Sequence, residues 1–161
     1  MSGKRKPSQW VETDAEILAD VAVGHLEREA ERLVAALLAA EKAVQDPDLT
    51  LALDANAAAY GDARDTWIAD LRCGDLPMAE AEKSECDLGK NARNEMYKII
   101  LAAGKPPEWG GGRRQEYDAL YDAAAAIHTL LSGLDGDTHD HIAECVADEL
   151  GEAGPRYVLG A

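Results

Sequence analysis

Leu26, Ala30, Leu33, Leu37, Ala40 and Val44 recur at alternating steps of four and three. That spacing puts all of them on one side of an α-helix. They form the second half of a stretch, Thr13–Gln45, that the pattern predicts as one long helix around which the rest of the chain folds. Thr13 followed by Glu16 is the Ser/Thr-x-x-Glu pattern of a helix start, with Trp10 and Val11 just upstream to staple onto the first turn. About thirty residues at ~1.5 Å each make a rod of roughly 50 Å. A compact domain of this size has a diameter of only ~40 Å. The helix therefore either bends or breaks near Gly24, where glycine costs roughly 1 kcal/mol against alanine, or one end projects and packs against another subunit. A homodimer with this helix at the seam is the expectation.

Punctuation in the sequence divides the rest of the chain into further helices. Asp46-Pro47 ends the first and starts the second, which carries Leu49, Leu53, Ala57, Tyr60, Trp67, Ile68 and Leu71 on one stripe up to about Arg72. Arg64 interrupts that stripe, as a side chain laid over the aromatics or as a ligand for an anion. Gly74 and Pro77 separate it from a third helical region, residues 78–103, with a kink or a break expected near Gly89. Residues 104–112 (GKPPEWGGG) read as a linker. A fourth helix, Arg113–Ser132, lines up Tyr117, Leu120, Tyr121, Ala124, Ile127, His128 and Leu131. A fifth, from about Thr138 to Leu150, buries Ile142, Val146 and Leu150.

The chain is 47% hydrophobic but has no Phe, and much of the apolar fraction is alanine. Alanine favours helices and buries little area, so packing depends on close helix approach. No run of alternating β-branched residues occurs. The predicted fold is a single all-α domain, a bundle of about five helices. Residues 1–9 form a basic lead, residues 10–151 the bundle, and residues 152–161 a tail that is loose or docked through Tyr157, Val158 and Leu159.

Thirty-one acidic and 16 basic side chains give a net charge of −15. Lys4, Arg5 and Lys6 all lie in the lead, so from residue 7 onward the balance is 13 − 31 = −18. Such a surface repels nucleic acid and anionic lipid and favours basic protein partners or cations. Cys73, Cys86 and Cys145 cannot all pair within one chain, and no apolar leader precedes them. The expectation is a cytoplasmic protein with free thiols and no membrane span.

Two sets of side chains raise the question of chemistry. His25, Glu29, His128 and His139 would hold a divalent metal if the first, fourth and fifth helices meet, although the paired Glu-x-x-His motifs of di-iron bundles are absent. Cys145 stands one helical turn after His141, the one cysteine–histidine pairing in the sequence. No serine sits in a glycine-flanked elbow, and Gly110–Gly112 is no phosphate loop. No catalytic residue or cofactor is assigned. The sequence points to a small acidic interaction protein, an adaptor or inhibitor of phage or accessory type, whose carboxylates mimic DNA in its sharpest version. The alternatives are a metal-binding helical enzyme and a nucleic-acid packaging factor led by the basic arm.

Overall fold

A computed structural model describes residues 7–104 and 114–159, with side chains from Ala15 onward in the first helix. Five α-helices and one short 3-10 helix make up the described residues, with no strand among them. Helix α1 spans Pro7–Val44, α2 Pro47–Cys73, α3 Met78–Ala103, α4 Arg114–Ser132 and α5 Gly136–Leu150; the 3-10 helix follows at Gly151–Tyr157. The fold is the all-α bundle organised around a long first helix that the apolar spacing implies.

Helix α1 starts at Pro7, ahead of the capping pattern at Thr13, and takes in residues 7–9 of the expected lead. Proline suits the first helical position, and nothing between Ser8 and Glu12 breaks a helix. Residues 1–6, with Lys4, Arg5 and Lys6, lie outside the described region, as do residues 105–113 of the linker. The helix also runs unbroken through Gly24. The long rod is accommodated without a break, by leaving its N-terminal end outside the packed helices. Every residue from Ala15 to Ala22 is exposed, so this end of α1 extends past the bundle as an arm.

Beyond the arm the expected stripe is the core. Ala30, Leu33, Leu37 and Val44 are buried, with Leu26 and Ala40 packed against them. Helices α4 and α5 cover this face, supplying Leu120, Ala124, Ile127 and Leu131 from one and Ile142, Val146 and Leu150 from the other. Helices α2 and α3 pair with each other, and Leu49, Leu53, Met96 and Ile100 bring them into the same core. Helix α3 passes Gly89 without a break. Gly89 is itself buried, so the surrounding packing holds the helix where its propensity is weakest.

Caps fix the corners. The Asp46 carboxylate accepts the Leu49 N–H at 3.1 Å, capping α2, and also accepts the Tyr117 hydroxyl at 2.6 Å, which ties this corner to the start of α4. Gly74 takes the left-handed conformation that ends α2, at φ 77°. Gly104 closes α3 for another reason. A Cβ there would lie 2.7 Å from the Tyr117 Cβ, so α3 and α4 meet only because the side chain is missing. Gly104→Ala is expected to destabilise the fold by about 1–3 kcal/mol. Urea denaturation checks this, and a wild-type midpoint would mean that the two helices part freely.

The C-terminal segment is docked. Tyr157 and Val158 are buried, and the Tyr157 hydroxyl donates to Glu41 at 2.5 Å. Arg156 donates to Glu41 at 3.0 Å and to Asp54 at 2.7 Å. One guanidinium thus holds two carboxylates from different helices, and the 3-10 helix clasps α1 to α2. The bundle therefore continues past residue 151 to at least Leu159.

Candidate interaction surface

No charged or polar residue belongs to the buried set among the described residues. The strong negative charge is carried on the outside, and α5 concentrates it. Its inward side is Ile142, Val146 and Leu150. On the opposite side Asp137, Asp140, Glu144 and Asp148 step by three, four and four residues, and all are exposed. Steps of three and four keep a row on one side of a helix, with roughly one helical turn, ~5–6 Å, between neighbours. The helix contains no Lys or Arg to neutralise it. Asp135 and Glu152 extend the acidic run at either end, both exposed.

The Cys145 thiol registers this field. Its pKa is raised, by desolvation first and then by the carboxylates of Glu27, Asp148, Glu144 and Glu149. That direction is opposite to what a nucleophilic cysteine needs. The geometry agrees. His141 Nε2 lies 3.9 Å from the Cys145 sulfur and 3.0 Å from Glu27 Oε1, so the thiol and the carboxylate compete for one ring nitrogen. In a working triad the carboxylate orients the imidazole through the other nitrogen, leaving the first to take the proton. The cluster ties α5 to α1 and does not activate sulfur.

The four residues expected to ligate a metal each have other partners. His25 Nδ1 accepts from the Arg28 guanidinium at 3.0 Å. Glu29 is held by Arg32, one turn on, and its pKa is lowered by that hydrogen bond. His139 Nδ1 lies 3.1 Å from the carboxylate of Asp140. His128 alone is inside the bundle. Its Nε2 lies 2.9 Å from the Tyr157 carbonyl oxygen, which can only accept, so Nε2 carries the proton. Nδ1 then accepts from the Tyr97 hydroxyl at 2.5 Å, and no lone pair of the neutral ring is left for a cation. Tyr97 also meets His128 edge-on, with ring centroids 5.6 Å apart, and packs on Tyr121 at 4.6 Å. Among the described residues, no group of three or more His, Cys, Asp or Glu side chains is placed to hold a metal ion.

Arg64 lies 3.7 Å from Glu85 of α3, about half exposed. It edges an apolar groove of about 420 Å³ between α2 and the 3-10 helix, which Tyr60, Pro155, Val158 and Leu159 also line. No helix in the described residues is long and apolar enough to cross a membrane. No family model, curated protein or solved structure matches this chain. The chemistry of the surface itself is what points to a function.

The α5 row was readable in the sequence, since Asp137, Asp140, Glu144 and Asp148 show helical spacing. Among so many carboxylates the row stands out only once α5's inner face is known. The pairing of Arg156 and Tyr157 with Glu41 and Asp54 has no local signal, because its members are more than a hundred residues apart.

Proposed function

We propose that this chain is a non-enzymatic interaction protein that docks a basic protein surface on the carboxylate row of α5. The observation that carries this reading is the row itself: exposed, at one-turn intervals, on a helix with no Lys or Arg. A row of fixed negative charge attracts a cationic surface and speeds its association. The reading extends to a DNA mimic, an inhibitor whose carboxylates occupy a groove that otherwise takes phosphates. It also includes a cytoplasmic homo-oligomer joined through α1.

The test is capture of basic proteins from a cell extract on the immobilised chain, compared with a variant carrying Asp137→Asn, Asp140→Asn, Glu144→Gln and Asp148→Asn. All four positions are exposed, so the variant should fold, as circular dichroism would verify. Salt-sensitive capture by the wild type and its loss in the variant are expected. Equal capture by both proteins would remove the row from the docking surface.

A further inference from the structure

The inward side of α2 ends on a cation. Leu49, Leu53, Ala57, Tyr60 and Arg64 step by four, four, three and four, which at ~100° per residue keeps them within about 80° of one another. Leu49 and Leu53 are buried in the core, and Tyr60 packs against it. The same side of the helix then carries a guanidinium. Among the described residues Arg64 is not laid over an aromatic ring, and its one partner is Glu85 at 3.7 Å, beyond hydrogen-bond length. Both side chains are about half exposed, so the pair is weak. The donors of Arg64 thus stand without a protein acceptor beside the groove that it edges.

The groove is kept open by what its walls lack. Across from α2 it is lined by Gly151, Gly154 and Pro155, which have little side chain to fill it. Gly151 has φ 57°, a conformation that favours glycine. Gly61, on the α2 side, has no such reason. It lies inside a helix, where glycine costs roughly 1 kcal/mol against alanine, and a Cβ there would meet nothing within 4 Å. The volume of about 420 Å³ is that of a small-molecule site, roughly 300–1,000 Å³.

Charge and lining together select the occupant. Arg64 is the one charged residue among those lining the groove, and no Asp or Glu joins it. Tyr60, Val158 and Leu159 supply apolar surface. The net charge of −15 repels anions at long range. Polyanions are therefore disfavoured, and a single carboxylate is tolerated only where an apolar body is buried with it. Arginine matches a carboxylate with two parallel N–H···O bonds. We infer that this groove binds a small monocarboxylate with an apolar body, a free medium-chain fatty acid. Its carboxylate pairs with Arg64 in place of Glu85, and its chain lies against Tyr60, Val158 and Leu159.

Calorimetric titration of the full chain with sodium octanoate at neutral pH tests this, with octan-1-ol as the uncharged match. Saturable binding of octanoate at one site per chain is expected, with octan-1-ol about tenfold weaker or more. Arg64→Gln should weaken octanoate by about the same factor and leave octan-1-ol unchanged, so that the preference for the carboxylate disappears. Gly61→Leu fills the groove and should abolish binding of both. Its thermal midpoint should be no lower than that of the wild type, because leucine is the better helix former and the site is open. No saturable binding of octanoate by the wild type would overturn the inference. Equal affinity of the wild type for octanoate and octan-1-ol would overturn the pairing with Arg64. Wild-type affinity in a folded Gly61→Leu protein would overturn the groove as the site.

Discussion

Acidifying the solution from pH 7 to pH 4 should cost this protein roughly 3 kcal/mol of folding stability through His128 alone. Burial is the main cause, and the nearby Arg93 charge adds to it; together they push the His128 pKa down from 6.5 to about 4. Hydrogen bonds to the Tyr157 and Val158 backbone act the other way and are outweighed. In the unfolded chain the imidazole takes up a proton as the pH falls through 6.5. In the folded protein it resists until about 4. Between those values the unfolded state binds more protons, so stability is complete above about 6.5 and declines on going down towards 4. Urea denaturation at half-unit pH steps would show the slope. His128→Gln keeps a donor for the Tyr157 carbonyl and cannot titrate, so its slope in that window should be much flatter. Parallel slopes for the two proteins would disprove the assignment.

Tyr157→Ala should be among the most damaging single substitutions, at about 3–5 kcal/mol. The ring is 1% exposed, and its loss leaves a cavity beneath the 3-10 helix together with a Glu41 carboxylate short of one donor. Tyr157→Phe separates the two effects. It keeps the ring and removes only the hydroxyl that donates to Glu41, so about 1–2 kcal/mol is expected. Burial and then the Glu41 hydrogen bond raise the phenol's pKa, so the hydroxyl remains a donor throughout the usable pH range. Calorimetry on the pair of variants would measure both. A Tyr157→Ala protein within about 1 kcal/mol of wild type would show that the 3-10 helix contributes little to the fold.

The helices could be read from the sequence because their signals are local. Asp46-Pro47, Gly74 and the apolar steps of α1, α4 and α5 act within a few residues, and the observed helices follow them closely. Two local signals were outweighed. The capping pattern at Thr13 did not start α1, because Pro7 suits a first helical position and nothing between Ser8 and Glu12 breaks a helix. Gly89 did not break α3, because burial of that position offsets the cost of one glycine. The candidate site was less legible. Helical spacing puts His25 near Glu29 and lines up His128, and it also sets Arg28 and Arg32 one turn from His25 and Glu29 within α1. That Tyr97 of α3 engages His128 is a matter of side-chain reach across helices, which no local pattern carries.

The clasp at the end of the fold has a consequence for the order of events during synthesis. Glu41 and Asp54 leave the ribosome more than a hundred residues before Arg156, the side chain that binds both. Until it arrives, two like charges face each other at the α1–α2 junction with nothing between them, and the pocket for Tyr157 stands open. The nascent chain can build its helices early but cannot lock them. Completion of the bundle is signalled by a single arginine and its neighbouring tyrosine, read out after all five α-helices.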